Sequence, residues 1–255
     1  MKNAIITGGS SGIGLGLARH FAAKGYNILI NGLEKEGPQI AKELSDAHKV
    51  KVIFSPANLL DPSQIRDMVT EAEKELGTIS VLINNAGVQH VSPIEDFPDH
   101  KWDAIIGINL TSVFHASKAV WKGMKEQNFG RIINISSAHG LRASEYKSAY
   151  VAAKHGITGL TKVLALEGAP YGITCNAICP GYVKTPLVEG QIADQCKVHG
   201  MTEEEVIEKV MLKKQAIKSF IQVEDLAAMA FFLASDSAKS MTGTSLPMEG
   251  GWTAQ

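Results

Sequence analysis

Short apolar stretches rich in β-branched residues alternate along the chain with longer stretches in which apolar residues recur every three or four positions. The first pattern is typical of buried strands and the second of amphipathic helices. We predict strands at 3–7, 27–31, 50–57, 79–84, 131–136, 173–178 and 243–248, and helices near 12–24, 36–48, 62–76, 101–127, 149–168 and 223–234. This alternation predicts an α/β fold whose parallel sheet is covered on both faces through right-handed crossovers.

One segment breaks the alternation, between the last two predicted strands. Within it, Thr202 and Glu205 have the spacing of a capping box, which opens a helix. The charged face of this helix is typical of a solvated surface. The whole segment, however, follows the carboxyl end of a strand, where open α/β sheets bind their ligands. We therefore predict a helical substrate lid at about 187–218.

The composition of the 255 residues, 45% hydrophobic and 20% charged, is typical of a soluble protein, and we predict a single domain over 1–255. A net charge of −1 provides no basic field for nucleic acid or anionic lipid. The cysteines Cys175, Cys179 and Cys196 form no CxxC pair, which suits a reducing compartment. No targeting segment precedes the first strand, and no apolar run could span a membrane. We predict a cytoplasmic protein with no nucleic-acid partner, membrane partner or metal site.

A glycine-rich loop follows the first predicted strand and opens the first predicted helix. Glycine allows a tight turn and lets the backbone approach a pyrophosphate, while the start of a helix directs N–H groups toward it. Because strand, turn and helix follow in this order, the loop predicts a dinucleotide site. A tight turn that binds no ligand is the alternative. The loop reads Thr7-Gly8-Gly9-Ser10-Ser11-Gly12-Ile13-Gly14.

The end of the second predicted strand distinguishes the two nicotinamide cofactors. Gly32 stands where an acidic residue usually binds the adenosine ribose. No arginine is present there to bind a 2′-phosphate, although Lys35 is close enough to complicate the choice. We predict that the cofactor is NAD.

A tyrosine and a lysine lie four residues apart on the helix predicted at 149–168. This spacing places Tyr150 and Lys154 on one face, one turn apart. An ammonium group beside a phenol favours the phenolate, so Lys154 is expected to lower the pKa of Tyr150 and make it a general base. Ser137 follows an apolar strand and could hydrogen-bond the same alcohol oxygen. Taken alone, this spacing often occurs by chance.

Taken together, these motifs are highly specific, and over essentially its whole length the chain resembles the short-chain dehydrogenase/reductase family. The resemblance rests on Thr7-Gly8, Gly12, Gly14, Asn84-Asn85-Ala86-Gly87, Asn109, Ser137, Tyr150, Lys154 and Pro180-Gly181. It implies a doubly wound Rossmann-type domain with a seven-stranded parallel sheet, an oxidoreductase activity and a homotetramer.

The resemblance also implies a proton relay. In it Tyr150 exchanges the proton, Ser137 orients the substrate oxygen, Lys154 holds the nicotinamide ribose and lowers the pKa of Tyr150, and Asn109 holds a water. Asn58 replaces the family's aspartate beside adenine, and its amide can still accept from the adenine amino group. The implied cofactor residues are Thr7, Gly8, Ser10, Ser11, Gly12, Ile13, Gly14, Gly32, Asn58, Leu59, Asn85, Ala86, Gly87, Tyr150, Lys154, Pro180, Gly181, Val183 and Thr185.

Within the family, the chain most resembles bacterial members that act on D-3-hydroxybutyrate. The resemblance implies reversible, NAD-dependent oxidation of (R)-3-hydroxybutyrate to acetoacetate. Two amides, an imidazole and an ammonium would satisfy the substrate carboxylate, with Tyr182 standing where tryptophan is expected beside the methyl group. The matching stretches are 84–90, 94–98, 101–103, 137–141, 147–150, 185–188, 191 and 250–253, and the implied substrate residues are Gln89, Ser137, His139, Lys147, Tyr150, Tyr182, Gln191 and Trp252.

Plainer interpretations stay open for several of these residues. Lys147 could be a solvated surface lysine, His139 could close a loop, and Gln191 could be an exposed helix residue. Another short-chain reductase, acting on 3-oxoacyl thioesters or sugar alcohols with NADPH, is the alternative enzyme. An NAD(H)-binding sensor without chemistry is the alternative outside catalysis.

Overall fold

The computed structural model describes residues 2–254 except 186–187, 190–191, 193–195 and 197–199. Its centre is a seven-stranded parallel sheet with the strand order β3-β2-β1-β4-β5-β6-β7. The order reverses between β1 and β4, which makes this pair the switch point of a doubly wound sheet. The strands are β1 (Asn3–Ile6), β2 (Asn27–Asn31), β3 (Val52–Ser55), β4 (Val81–Asn84), β5 (Gly130–Ile135), β6 (Ile173–Pro180) and β7 (Ser245–Met248).

Helices follow most of the strands, as the sequence pattern predicts. None of the described helices is long and apolar enough to cross a membrane. The helices are α1 (Gly12–Ala23), α2 (Gly37–His48), α3 (Pro62–Leu76), α4 (Asp99–Ile106), α5 (Ser112–Glu126), α6 (Ser148–Gly168), α7 (Glu203–Val206) and α8 (Val223–Ala234).

Both faces of the sheet are buried, because neighbouring residues of each central strand enter different apolar clusters. In β1, Ile6 packs in the cluster that contains Leu17 of α1 and Leu226 of α8. The adjacent Ile5 packs in the cluster of Ile65 from α3 and Val120 from α5. The prediction of a Rossmann-type sheet covered on both faces is confirmed.

The helix predicted at 101–127 is interrupted in the structure. Helix α4 passes through a π-helical turn at Gly107–Thr111 before α5 begins. A π turn takes in one residue more than an α turn and often occurs at a functional site. Here it contains Asn109, whose side chain is fully buried. The predicted strands at 50–57 and 243–248 are also shorter in the structure, at Val52–Ser55 and Ser245–Met248.

The described part of the segment between β6 and α8 contains the short helix α7, followed by a π-helical turn at Ile207–Met211 and then by turns and bends. Helix α7 begins at the capping box of Thr202 and Glu205, as predicted. Val206, Met211 and Leu212 form a small apolar cluster of their own, against which Tyr182 packs. After this segment, Ile221 forms an isolated parallel bridge with Val183, outside the seven-stranded sheet. The cluster therefore lies beside the loop that leaves β6.

Candidate active site

A cavity of about 740 Å³ opens at the carboxyl ends of β4, β5 and β6. Parallel strands end on one edge of the sheet, so loops that are distant in sequence meet there. The cavity brings together most of the predicted substrate and catalytic residues. Its lining includes Ile13, Asn85, Gly87, Gln89, Ser137, His139, Lys147, Tyr150, Lys154, Pro180, Gly181, Tyr182, Val183, Thr185 and Trp252.

The glycine-rich loop is held against the loop that follows β4. Thr7 Oγ1 accepts hydrogen bonds from the backbone N–H groups of Asn85 and Ala86 at 3.0 and 3.1 Å. In return, Asn85 Nδ2 donates to the carbonyl oxygens of Thr7 and Gly8. Gly8 has a φ of +61°, and a Cβ on Gly14 would collide with the Gly8 carbonyl. The loop therefore requires glycine at both positions.

The first turn of α1 is open to a ligand. Ser11 precedes the helix but makes no side-chain cap hydrogen bond to it. A Cβ built on Gly12, whose φ is +49°, would meet no atom nearer than Thr185 Cγ2 at 3.9 Å. N–H groups at an uncapped helix start bind phosphate well, so this space between Gly12 and Thr185 fits a pyrophosphate.

Glu34 occupies the place at the end of β2 where the sequence analysis found no acid. Its carboxylate accepts hydrogen bonds from the hydroxyls of Ser10 and Ser11, the latter at 2.8 Å. Burial alone would raise the pKa of Glu34, but the hydrogen bonds from Ser10, Ser11 and the backbone lower it overall. A side chain on Gly32 would collide with Ser10 and Glu34. Gly32 thus makes room for an acid two residues further along the chain.

Asn58 and Leu59 lie in the loop after β3, on the far side of β2 from the substrate cavity. Asn58 Oδ1 accepts from the backbone N–H of Leu60 at 3.0 Å, and its own backbone N–H donates to Gln64 Oε1 at 2.9 Å. Asn58 is exposed, and its amide oxygen has a second lone pair for an adenine amino group. Asn58 therefore stabilises the conformation of this loop, and its contact with adenine stays a prediction.

The predicted serine, tyrosine and lysine meet in the cavity. Ser137 is buried just beyond β5, and α6 presents Tyr150 and Lys154 on one face. Lys154 Nζ donates to the carbonyl oxygen of Ile135 at 2.8 Å and lies 5.5 Å from the centroid of the Tyr150 ring. Burial lowers the pKa of Lys154 to about 8. The lysine therefore carries a full charge only below this pH.

The pKa of Tyr150 differs from the sequence prediction. We expected Lys154 to lower it, but desolvation raises the pKa of Tyr150, and the hydrogen bond with Ser137 offsets only part of this rise. Lys154 is not among the groups that shift the pKa of Tyr150; its ammonium donates to the Ile135 carbonyl and lies 5.5 Å from the centroid of the Tyr150 ring. In this state the protein holds Tyr150 in its protonated form.

The side chain of Asn109 forms hydrogen bonds with the backbone of Val88. Its Oδ1 accepts from the N–H of Val88 at 2.8 Å, and its Nδ2 donates to the Val88 carbonyl at 2.9 Å. A Cβ built on Gly87 would lie 3.5 Å from Asn109 Oδ1 and 3.8 Å from Lys154 Nζ. Asn109 and Lys154 thus both lie near Gly87, and Asn109 fixes the loop that borders the cavity.

Most of the predicted substrate residues surround one end of the cavity, whereas Gln191 lies outside the described residues. Lys147 is half-buried at the start of α6. Burial and, to a smaller extent, the nearby charge of Lys214 lower the pKa of Lys147. Trp252 is buried, with its ring 5.0 Å from that of His139 and perpendicular to it. Tyr182 is half-buried and packs against the apolar cluster of Val206, Met211 and Leu212, and Gln89 is exposed at the rim.

His139 is buried, and its two ring nitrogens already have partners in the chain. Nδ1 lies 3.4 Å from Ser137 Oγ, and Nε2 lies 3.1 Å from Ser144 Oγ. Burial, assisted by the charges of Lys147 and Lys214, lowers the pKa of His139 to about 4. The imidazole is therefore neutral at physiological pH.

Comparisons with known proteins agree with this site. A family model described as short chain dehydrogenase matches residues 2–195. The chain belongs to the short-chain dehydrogenase family. It is 53% identical over 256 residues to a D-beta-hydroxybutyrate dehydrogenase of Rhizobium meliloti (strain 1021), with 100% of this chain and 99% of that protein covered. It is 46% identical over 254 residues to the protein of the same name from Cupriavidus necator, with 100% and 98% covered.

The same fold occurs in solved structures of this family. A variant of actinorhodin polyketide ketoreductase with NADPH superposes with a TM-score of 0.91 at 32% identity, covering 100% of this chain and 98% of that one. As a short-chain dehydrogenase, the protein is an oxidoreductase whose Rossmann-type sheet binds a nicotinamide cofactor. The resemblance to bacterial D-3-hydroxybutyrate members is confirmed as a similarity of sequence over the full chain.

Among residues that the family motifs did not indicate, Gln215 joins the segment that follows α7 to the loop that follows β6. It is buried, and its Oε1 accepts from the backbone N–H of Tyr182 at 3.3 Å. Its Nε2 donates to the carbonyls of Ile217 and Ser219, both at 3.3 Å. A polar residue that is fully buried among loops usually links them, but the burial of Gln215 cannot be recognised in the sequence.

Proposed function

We propose that the protein is an NAD-dependent dehydrogenase that reversibly oxidises (R)-3-hydroxybutyrate to acetoacetate. The observation that carries this proposal is the half-buried Lys147, which shares one cavity with Ser137 and Tyr150. Among the described residues, no carboxylate lies within ion-pair distance of its ammonium group. A small carboxylate in this cavity would supply the missing partner, and the two D-beta-hydroxybutyrate dehydrogenase relatives support the choice of acid.

In the proposed reaction the chain's own groups bind the acid and move one proton. Lys147 binds the carboxylate by a charge-assisted hydrogen bond, together with the amides of Gln89 and Gln191. His139 belongs to the same predicted set, but its ring nitrogens bind Ser137 and Ser144. Ser137 donates a hydrogen bond to the substrate hydroxyl oxygen, and Tyr150 removes the hydroxyl proton.

The cofactor residues complete the site. A bound oxidised nicotinamide would supply the acceptor for the hydride on C3 of the substrate. We propose that Val183 and Thr185 hold its carboxamide and that Lys154 holds its ribose, as the family resemblance implies. The resemblance also assigns Lys154 to lowering the pKa of Tyr150, whereas in the structure desolvation raises this pKa and only the hydrogen bond with Ser137 lowers it.

Glu34 supports the choice of NAD. Its carboxylate lies against Ser10 and Ser11 of the glycine-rich loop, next to Gly32. A carboxylate accepts hydrogen bonds from ribose hydroxyls, whereas it repels a 2′-phosphate. The exposed Lys35 does not remove this repulsion, because the carboxylate is held in place by two serines.

Replacing Glu34 by alanine should weaken the preference for NAD. Loss of a charge-assisted hydrogen bond costs about 1.5–3 kcal/mol, roughly tenfold to a hundredfold in kcat/KM with NAD, while use of NADP should not fall. Steady-state rates with each cofactor measure the change. Glu36→Ala is the matched control, since Glu36 is exposed and makes no side-chain cap hydrogen bond to α2. Parallel changes in both variants, or an unchanged cofactor ratio in Glu34→Ala, would contradict the assignment.

The proposed substrate is tested by one spectrophotometric screen. Short 3-hydroxy acids, their methyl esters, 3-oxoacyl thioesters and sugar alcohols are assayed with both cofactors in both directions. We expect the highest kcat/KM for (R)-3-hydroxybutyrate with NAD. Preference for a thioester with NADPH would favour the alternative reductase, which the solved ketoreductase structure with NADPH makes a specific rival. Cofactor binding without turnover of any alcohol would favour the sensor.

We further propose that the protein is a cytoplasmic homotetramer. Phe114 of α5 and Val163 and Leu166 of α6 expose apolar side chains. A cavity of about 540 Å³ lies between α5 and α6, where Phe114, Trp121 and Leu164 provide an apolar floor among charged side chains of Lys118, Lys122, Lys125, Glu126 and Glu167. An apolar patch of this kind is typical of a protein interface. Light scattering during size-exclusion chromatography gives the number of subunits.

A further inference from the structure

Hydrogen bonds lead from the end of the lid to the catalytic serine through a residue that no motif indicated. Lys214 Nζ donates to Ser144 Oγ at 3.3 Å, and Ser144 Oγ lies 3.1 Å from Nε2 of His139. On the other side of the ring, Nδ1 lies 3.4 Å from Ser137 Oγ. The path therefore joins Lys214, Ser144, His139 and Ser137 in this order.

The tautomer of His139 decides what Ser137 can do. Because the pKa of His139 is lowered to about 4, the ring is neutral, with one donor nitrogen and one acceptor nitrogen. If Nε2 carries the proton, Nδ1 must accept from Ser137. The only hydroxyl proton of Ser137 would then point at the imidazole and could not be donated to a substrate oxygen.

The hydrogen-bond partners favour the other tautomer. With the proton on Nε2, Ser144 Oγ would accept hydrogen bonds from both His139 and Lys214. The Ser144 hydroxyl would then have no acceptor among the described residues. With the proton on Nδ1, Ser144 accepts from Lys214 and donates to Nε2, so each group has a suitable partner. Ser137 Oγ then accepts twice from His139, from Nδ1 and from the backbone N–H at 3.1 Å. The Ser137 proton is then free to be donated to Tyr150, with which Ser137 shares a hydrogen bond, or to a substrate oxygen in the cavity.

We propose that Ser144 is a positioning residue that keeps His139 in the Nδ1–H tautomer, so that Ser137 presents its proton to the substrate oxygen. Lys214, at the end of the lid segment, supports Ser144 in this role. Two donors on Ser137 Oγ also polarise its hydroxyl and strengthen the bond that it donates. The inference rests on the proposed function only where it places the substrate oxygen next to Ser137. It gives His139 a role other than the predicted one of carboxylate ligand.

The tautomer can be measured without any substrate. Nitrogen-15 NMR of the histidine-labelled protein, with and without NAD, distinguishes protonated from unprotonated ring nitrogens. The His139 signals are those that disappear in His139→Asn. We expect a protonated Nδ1 in the wild type and a shift toward protonated Nε2 in Ser144→Ala. A protonated Nε2 in the wild type would overturn the proposal, and this result does not depend on which alcohol is the substrate.

Kinetics test the consequence for Ser137. Ser144→Ala should lower kcat roughly tenfold, the effect of about one hydrogen bond, with little change in KM for the acid. The kcat for the methyl ester should fall equally, because the defect lies at the reacting oxygen and not at the carboxylate. Ser144→Thr, which keeps the hydroxyl, should restore both kcat and the NMR signals. A wild-type kcat in Ser144→Ala, or a loss limited to KM, would overturn the role of Ser144.

Two adjacent lysines provide a matched pair for the lid end of the path. Lys214→Ala removes the donor to Ser144, while Lys213→Ala removes the same charge from an exposed neighbour. We expect a several-fold fall in kcat and altered His139 signals only in Lys214→Ala. Equal behaviour of the two variants would show that charge alone matters and would overturn the role of Lys214.

Discussion

Replacing Tyr150 by phenylalanine should reduce turnover by about 10²–10⁴, the range that general acid–base catalysis contributes, while NADH binds almost as tightly as before. The change removes one oxygen atom and leaves the ring in its contact with His139, 5.8 Å away between centroids. Cofactor titration and turnover are measured on the same preparation. In the wild type, oxidation should become faster as pH rises and Tyr150 loses its proton. The variant should lack this rise.

The control removes a tyrosine hydroxyl elsewhere. Tyr171 packs against the Lys125 ammonium, 4.0 Å from its ring centroid, and is not among the residues that line the active-site cavity. Tyr171→Phe should therefore keep wild-type kinetics and the same pH profile. Activity of Tyr150→Phe within about tenfold of the wild type would contradict the role of general base.

The order and type of the elements could be predicted because the sheet is covered on both faces. Strands such as Val81–Asn84 are buried at every position and appear in the sequence as short, continuous apolar runs. The π turn around Asn109 could not be predicted, because one extra residue in a turn changes the apolar spacing too little to be recognised. The glycine-rich loop and Ser137 could be predicted because they follow strands, where a parallel sheet collects its functional groups, whereas Tyr150 and Lys154 were indicated by their helical spacing on α6.

The missed residues have partners that are distant in sequence. Glu34 meets serines of the glycine-rich loop 23 and 24 residues earlier, and Ser144 meets Lys214 across 70 residues. In the sequence each is a polar residue of an exposed loop, indistinguishable from a solvated one. The predicted direction of the pKa shift of Tyr150 was wrong for a related reason. Helical spacing gave the face that carries Lys154, but not the Ile135 carbonyl that its ammonium binds.

Lys147→Ala should lower kcat/KM for the acid about tenfold to a hundredfold. The lost charge-assisted hydrogen bond in a desolvated cavity costs about 1.5–3 kcal/mol. A neutral analogue, the methyl ester of 3-hydroxybutyrate, has no charge for the ammonium to bind, so kcat/KM for the ester should change little. Rates with acid and ester on one preparation give the comparison. Lys147→Arg, which keeps the charge, should retain more activity on the acid than Lys147→Ala.

A second explanation has to be separated from this one, because Lys147 lies three residues before Tyr150 and its charge could act on the phenol. The two explanations differ in what they predict, because a contact with the carboxylate affects only the acid, whereas an effect on the phenol slows acid and ester alike. Lys147 precedes α6 and makes no side-chain cap hydrogen bond. A positive charge at a helix start is unfavourable, so its removal should not lower Tm. Unfolding therefore cannot explain a loss limited to the acid. Equal losses for acid and ester, with a shifted pH profile, would assign the effect to Tyr150 and remove the main physical support for a 3-hydroxy acid substrate.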